Sequence, residues 1–321
     1  MVLGWLGGAI LATAATPRQD TLSTEEQQQF LYYFYEAQRL IQKEAIEPAW
    51  ELIQFCHELN PKDAAVNNYM GVFLKTFGKD LEATSYFQRA FELQPTEYWY
   101  QYAVDLLQSG DKRAEKMAIR NLEKVASIDK KNEDLHTLLQ KAYIHVKDYK
   151  RALALQDRLD SLVGYNAMSA MQRYRLNVML HNNAQAIGEV ERYLEEEPDN
   201  MQFQIFRMQL YEQTKQPSEK MIDAYTAILR FDPRNLVIIN NLAWHLCISG
   251  GDLQQAEELS RQTILAEPVN PTYLDTYAWI LYHLGNYKDA IFYIERAMSI
   301  TSGKNKEITE HFHAIKKKLG L

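Results

Sequence analysis

The chain has 321 residues, of which 46% are hydrophobic and 24% are charged, and its formal net charge is −7 at pH 7. These values are typical of a folded protein and exclude a low-complexity disordered chain, a collagen and a polytopic membrane protein. The acidic balance gives no general attraction for phosphate backbones, so we expect no nucleic-acid partner.

Residues 1–15 form an uncharged, largely apolar stretch, and residues 16–29 form a polar linker. The Ala-x-Ala motif that ends at Ala14 suits signal peptidase, so we expect cleavage after Ala14 or Ala15 and export to the periplasm or envelope of a bacterium. No basic residue precedes Arg18, which leaves an apolar tail on a cytoplasmic chain as the alternative. The stretch is too short to span a bilayer, so we expect no integral membrane span in the mature chain.

Small residues recur along the rest of the chain at spacings of 34 or 35 residues. The positions four and seven residues after each of them are mostly apolar, which places all three on one face of a helix. In five of the eight repeats a proline stands twelve residues after the small residue, where it would end the helix. These ladder residues are Ala49, Ala83, Ala118, Ala152, Ala186, Ala256 and Ala290, with Met221 in the sixth place.

A second helical pattern precedes each ladder residue, and turns at Gly78, Gly250 and Gly285 separate the two patterns. Each repeat is therefore predicted to be a helix, a turn and a helix. This arrangement resembles the tetratricopeptide repeat family over residues 30–304, as in exported bacterial members of that family. The resemblance is strongest in the last repeat, where the family positions hold Tyr277, Ala278, Leu281, Gly285, Tyr287, Ala290, Ile294 and Ala297.

The resemblance implies an all-α fold, a right-handed α-solenoid of about eight helix-turn-helix repeats followed by a capping helix. A single repeat buries too little apolar area to fold alone, so its neighbours must supply the missing burial. The predicted repeats span about residues 30–63, 64–95, 96–132, 133–166, 167–200, 201–235, 236–270 and 271–304.

The segment 305–321 has an apolar face with spacings of four, three and four residues between Ile308 and Leu319, opposite a basic face at 316–318. This pattern predicts a helix that caps the end of the stack. The alternative is that its basic face contacts a partner.

Small residues also recur in the first helix of most repeats, where we expect neighbouring first helices to approach closely. The middle repeats depart from this pattern, and we expect looser or differently angled packing there. The departures are Gln140, Tyr174 and Met208, in place of residues such as Gly71 and Ala278.

No short motif of a known catalytic or nucleotide-binding site occurs in the chain, so we expect no catalysis and no cofactor. His311 and His313 flank Phe312 and would point to different sides of a helix, so we expect a solvated pair and no shared metal ion.

In the tetratricopeptide repeat family, the first helix of each repeat lines a concave groove that binds a peptide or a protein. Trp244 and Trp279 hold the same position in consecutive repeats, with Asn240 and Asp275 one turn before them and Tyr282 one turn after Trp279. Aromatic anchors beside hydrogen-bonding side chains are typical of a binding hot spot. The alternative is that the two tryptophans pack between neighbouring first helices.

Earlier repeats place a mixed polar and apolar set at the corresponding positions, namely Asn68, Val72, Lys75, Tyr100 and Val104. The resemblance thus implies a non-catalytic scaffold or adaptor that binds a peptide or protein segment in its groove, with only weak salt dependence. The alternative is a structural subunit that self-associates or occupies a place in a larger secretion or assembly complex.

Overall fold

The computed structural model describes residues 22–320, and these residues form seventeen α-helices and no β-strand. The expected signal segment 1–15 lies outside the described residues. Among the helices that are described, none is both long and apolar enough to cross a membrane. In chain order the helices are α1 (Thr24–Gln42), α2 (Ile46–Leu59), α3 (Ala64–Thr76), α4 (Asp80–Leu93), α5 (Trp99–Gln108), α6 (Lys112–Ile128), α7 (Glu133–His145), α8 (Tyr149–Val163), α9 (Ala167–Met179), α10 (Asn183–Glu196), α11 (Met201–Thr214), α12 (Ser218–Leu229), α13 (Leu236–Ile248), α14 (Leu253–Ala266), α15 (Pro271–His283), α16 (Tyr287–Thr301) and α17 (Lys306–Leu319).

The chain divides into two compact units, and the all-α solenoid class is confirmed. The N-terminal unit ends at Tyr165 and contains α1–α8, whereas the C-terminal unit begins at Asn166 and contains α9–α17. Within each unit, every helix packs against the next helix in the chain. In the C-terminal unit α15 also contacts both α13 and α17, so these three helices lie side by side.

Helix α1 begins six residues before the predicted start of the first repeat. The amide of Glu26 donates to Ser23 Oγ at 3.3 Å, and the amide of Ser23 donates to Glu26 Oε2 at 2.8 Å. Because this reciprocal pair satisfies two backbone N–H groups, it fixes the first helical turn. Residues 24–29 therefore belong to α1 and not to the predicted polar linker.

Most first helices begin at an Asn or Asp whose side chain accepts a hydrogen bond from a backbone N–H in the first turn. Such a cap compensates an N–H that the helix itself leaves without an acceptor. Helix α17 begins in the same way, with its cap 35 residues after that of α15. The capping residues are Asp63, Asn132, Asn166, Asn200, Asn235, Asn270 and Asn305.

The ladder residues are buried between the paired helices. All seven alanines of the ladder have no exposed surface, and Met221 is 2% exposed. The first helices show the same need for small residues, since a Cβ at Gly71 would lie 2.5 Å from Phe87 Cε1. Only glycine lets α3 approach the Phe87 ring on α4 so closely.

The middle repeats replace small residues with side chains that make specific contacts. Gln140 is buried, and its Nε2 donates to the Ala152 carbonyl at 3.1 Å and to Gln156 Oε1 at 2.7 Å. Tyr174 stacks on Phe206 with 4.3 Å between the ring centroids. Hydrogen bonds and ring stacking thus replace the contacts of small residues at these positions. The looser or differently angled packing of the middle repeats stays a prediction.

Candidate binding surfaces

In the C-terminal unit, the predicted site residues lie on α13 and α15, which are neighbouring helices. Asn240 and Trp244 lie on α13, and Asp275, Trp279 and Tyr282 lie on α15. The rings of Trp279 and Tyr282 stack with 4.8 Å between their centroids and 9° between their planes. Asn240 and Asp275 are buried, whereas the three aromatic side chains are half-buried.

A side chain from α17 already occupies this surface. The imidazole of His311 stacks on the indole of Trp279 with 4.0 Å between ring centroids, and it lies 5.7 Å from the ring of Trp244. Its Nδ1 lies 2.8 Å from Asp275 Oδ1, at hydrogen-bonding distance. The surface therefore binds one helix of its own chain, through a ring stack and a buried hydrogen bond.

The prediction of two solvated histidines is wrong for one of them. His311 is 9% exposed, whereas His313 lies on the exposed side of α17. The buried position of His311 follows from the helical spacing, because His311 shares a face with Ile308 and Ile315, both of which are buried. The pKa of the nearby His283 is lowered by burial and, to a smaller extent, by its neighbour His311.

The packing of Trp279 bears on the two interpretations of the tryptophans. Trp279 contacts His311, so it packs between α15 and α17 as well as lining the surface. Trp279 is thus packed as the second interpretation expects, with α17 in the place of a neighbouring first helix, and its role in binding a partner stays a prediction.

Two asparagines at the same repeat position have a buried amide oxygen. Asn68 on α3 and Asn240 on α13 each have an Oδ1 that is shielded from solvent and has no hydrogen-bond partner among the described residues. Neither oxygen is exposed to a ligand in this arrangement, so neither is by itself a recognition group.

In the N-terminal unit, Lys75 forms an ion pair that joins two first helices. Its Nζ lies 2.6 Å from Oδ1 of the buried Asp105 on α5 and 3.1 Å from Asp80 Oδ1. Burial alone would lower the pKa of Lys75, but the hydrogen bonds to Asp105 and Asp80 raise it overall. Thr84 on α4 donates a further hydrogen bond to Asp105. The charge of Lys75 is therefore compensated within the unit, and its main effect is to hold α3 beside α5.

The apolar and aromatic residues predicted on these helices remain accessible. Tyr100 on α5 is 47% exposed, and its ring makes an edge contact with Trp99 at 5.5 Å. Val104 follows Tyr100 by one helical turn and is half-buried, as is Val72 on α3. Tyr100 is thus the most open aromatic side chain among the predicted site residues.

Two residues that complete these surfaces, His311 and Asp105, were not predicted from the sequence as site residues. His311 lies 36 residues after Asp275, and Asp105 lies 30 residues after Lys75. Both separations are close to the repeat length, which is the signal that could have paired them. Within residues 22–320, no group of three or more His, Cys, Asp or Glu side chains is arranged to hold a metal ion.

Comparison with known proteins agrees with the repeat pattern. A family model described as a tetratricopeptide repeat matches residues 272–303, which include most of α15 and all of α16. No curated protein matches the chain.

Solved structures of similar fold include the C-terminal part of a tetratricopeptide repeat protein from Cytophaga hutchinsonii. It has a TM-score of 0.51 and 18% identity, over 75% of this chain and 92% of that chain. A tetratricopeptide repeat protein from Parabacteroides merdae has a TM-score of 0.43 and 13% identity, over 90% and 99%. YrrB, a tetratricopeptide repeat protein with an unusual peptide-binding site, has a TM-score of 0.45 and 15% identity, over 61% and 97%.

Proposed function

We propose that this chain, whose last repeat matches the tetratricopeptide repeat family model and whose fold is similar to that of a solved tetratricopeptide repeat protein, is a non-catalytic scaffold or adaptor that binds a peptide or protein segment against its first helices. One observation carries the proposal, the contact of His311 with Trp279 and Asp275. A first-helix surface there holds a ring from another helix by stacking and hydrogen bonding. Aromatic rings and hydrogen-bonding groups of this kind on the open parts of the first helices are suited to a side chain of a partner.

In the C-terminal unit, the side chains best placed for such a partner are Trp244 and Tyr282. Asp275 is already bonded to His311, and Trp279 is covered by the His311 ring. Trp244 and Tyr282 are half-buried beside this contact. A bound segment would therefore pack next to α17, with the two rings as its apolar anchors.

In the N-terminal unit, the proposed binding surface is centred on Tyr100. Val72 and Val104 extend it with half-buried apolar side chains, and the ion pair of Lys75 with Asp105 fixes the helices that carry it. Because the anchors are apolar and aromatic and the lysine is already paired, we expect association there to depend only weakly on salt.

A site-specific photo-crosslink tests the binding surface. A benzoylphenylalanine is placed at Tyr100 in the full-length chain, and the source cells are irradiated. Phe55 on the second helix α2 is the matched control, since it is an aromatic residue of the same unit that is 40% exposed. We expect a discrete adduct from position 100 and none from position 55.

The other outcomes of this experiment are equally informative. The same adducts from both positions, or none from position 100, would contradict a first-helix binding surface. An adduct of two copies of this chain would favour the self-associating subunit instead. With an identified partner, Tyr100→Ala combined with Val104→Ala should weaken binding by about thirtyfold or more, given about 1–2 kcal/mol for each anchor.

We also propose that the protein acts in a bacterial envelope. The support is the apolar stretch 1–15 with its Ala-x-Ala motif. N-terminal sequencing of the fractionated native protein should find a chain that begins at Ala15 or Thr16. A mature chain that keeps Met1 would contradict export.

A further inference from the structure

A cleft of about 950 Å³ lies in the N-terminal unit, between α6 and the turn that joins α7 to α8. Its volume is within the range of protein ligand sites, about 300–1,000 Å³. None of the predicted site residues lines it, so it is separate from the proposed first-helix surface. The lining residues are Lys112, Glu115, Lys116, Ile119, Arg120, Glu123, His145, Val146, Lys147, Asp148 and Arg151.

The carboxylates of this cleft are all engaged within the protein. Glu115 Oε1 lies 3.0 Å from His145 Nε2, and Glu123 Oε1 lies 2.8 Å from Arg151 Nη1. Asp148 Oδ2 lies 2.6 Å from Arg151 Nε, while its Oδ1 caps α8. Arg151 therefore partly compensates the charges of Glu123 and Asp148, and Glu115 is hydrogen-bonded to His145, before any ligand arrives.

Most of the cations of the cleft are not engaged. Lys112, Lys116, Arg120 and Lys147 are exposed, and none of them forms an ion pair with another described residue. The cleft thus has a positive local charge on a chain whose net charge is −7. A cleft with an excess of one sign of charge attracts ligands of the opposite sign.

The spacing of these cations favours an extended peptide. Lys112, Lys116 and Arg120 succeed one another at four-residue intervals on α6, about 6 Å apart along the helix axis at roughly 1.5 Å per residue. Alternate side chains of an extended chain lie about 6.6 Å apart, at roughly 3.3 Å per residue. Carboxylates at every second residue of such a segment would therefore each meet one cation of α6, while Lys147 on the opposite wall adds to the positive potential that attracts the segment.

We infer that this cleft binds an acidic peptide segment in an extended conformation, with Asp or Glu at alternate positions. The lining residues do not favour a nucleic acid. None of them is Phe, Tyr or Trp, so no such ring is present to stack on bases. A continuous phosphate backbone would also place charges beside Glu115 and Asp148, where an alternating peptide can place a neutral residue.

A binding titration on the full-length protein tests the inference. The probe is a fluorescein-labelled peptide of six glutamates alternating with six serines, titrated by fluorescence anisotropy at low salt. Lys116→Glu combined with Lys147→Glu, one residue from each wall, should weaken binding by at least about tenfold. The neutral pair Lys116→Gln and Lys147→Gln should weaken it less, and added salt should weaken wild-type binding because the cations are exposed.

Lys317→Glu combined with Lys318→Glu is the matched control, because it changes the net charge equally at exposed positions of α17. We expect this control to bind the peptide as wild type does, and circular dichroism establishes that all variants are folded. Equal losses in the control and the cleft variant, or no loss in the cleft variant, would overturn the inference. So would equally tight binding of a peptide with its six glutamates in one block, or tighter binding of oligothymidylate at the cleft.

Discussion

The phenol of Tyr143 on α7 donates a hydrogen bond to Glu123 on α6 across a repeat boundary, with 2.7 Å between Oη and Oε1. Arg151 on α8 lies against both residues, with its Nη1 2.8 Å from Glu123 Oε1 and its guanidinium 4.6 Å from the centroid of the Tyr143 ring. Three successive helices are therefore joined by one set of polar contacts.

The same arrangement recurs in the C-terminal unit. Tyr211 on α11 donates to Glu191 on α10, and Lys220 on α12 lies 3.3 Å from the carboxylate and 5.3 Å from the ring centroid. The two sets are 68 or 69 residues apart, which is two repeat lengths. The contact is thus a recurring connection between neighbouring repeats within each unit.

We expect Tyr143→Phe to lower the free energy of unfolding by about 1–2 kcal/mol, because it removes a hydrogen bond to a charged acceptor that is partly exposed. Urea unfolding of the full-length chain, followed by circular dichroism, measures the change. Tyr149→Phe is the control, since the Tyr149 hydroxyl makes no hydrogen bond to another described residue. Equal losses in the two variants would show that the bond to Glu123 contributes nothing.

The same tyrosine should make stability depend on pH. Burial, with a further contribution from the hydrogen bond to Glu123, raises the pKa of Tyr143 to about 12, above its ordinary value of about 10. Between about pH 10 and 12 the unfolded chain releases this proton while the folded chain keeps it. The contribution of Tyr143 to the free energy of unfolding is therefore fully present below about pH 10 and is lost as the pH rises through about 12. The free energy of unfolding should fall less steeply over this range in Tyr143→Phe than in wild type.

The close approach at Gly71 should make that position intolerant of a methyl group. Gly71→Ala places Cβ 2.5 Å from the Phe87 ring, so the ring or the helix must move, and we expect a loss of about 1–3 kcal/mol. Gly188→Ala on α10 is the matched control, because nothing lies within 4 Å of its Cβ, and it should stabilise by up to about 1 kcal/mol. Thermal unfolding of both variants separates the steric effect from the change in helix propensity.

The repeat pattern predicts the fold because burial at fixed spacing determines which residues face inward. Ala49, Ala118 and Ala290 are fully buried where the 34- or 35-residue spacing places them, since only small residues fit where paired helices cross. The start of α1 was predicted wrongly because a capping box between Ser23 and Glu26 is a local feature outside the repeat period.

The candidate surfaces depend on contacts that periodicity alone does not specify. The pairing of Lys75 with Asp105, and the stacking of His311 on Trp279, depend on side-chain conformations on adjacent helices. The sequence does contain one signal for the stacking of His311 on Trp279. Asn305 follows the cap Asn270 by 35 residues, which marks α17 as a continuation of the series of first helices. The repeat pattern specifies the fold and not the chemistry of a bound molecule, so it does not predict which partner the first-helix surfaces bind.

The two cysteines should report the opening of the two units separately. Burial raises the pKa of the Cys56 thiol on α2 to about 12 and that of the Cys247 thiol on α13 to about 11. Because only the thiolate reacts, Cys56 in a Cys247→Ala variant should react with a disulfide reagent at pH 8 roughly a thousandfold more slowly than a free cysteine. The rate should rise through the urea transition, and a fast reaction in native buffer would contradict the burial.

The docking of α17 should depend on His311 and not on its neighbour His313. His311→Ala removes the ring stacked on Trp279 and the hydrogen bond to Asp275, and it leaves a buried carboxylate without that partner. We expect a loss of about 2–4 kcal/mol in the free energy that holds α17 in place. Hydrogen exchange of the α17 amides should become correspondingly faster, and tryptophan fluorescence should shift to longer wavelength as Trp279 meets water.

His313→Ala distinguishes this contact from a general effect of removing a histidine from α17. His313 is exposed on the same helix, so its replacement changes the intrinsic helix propensity by nearly the same amount and removes no buried contact. Exchange and fluorescence should therefore match those of wild type. If both variants loosen α17 equally, helix propensity governs the docking and the His311 contact does not. If His311→Ala alone loosens α17, the ring stack and the hydrogen bond hold α17 against α15.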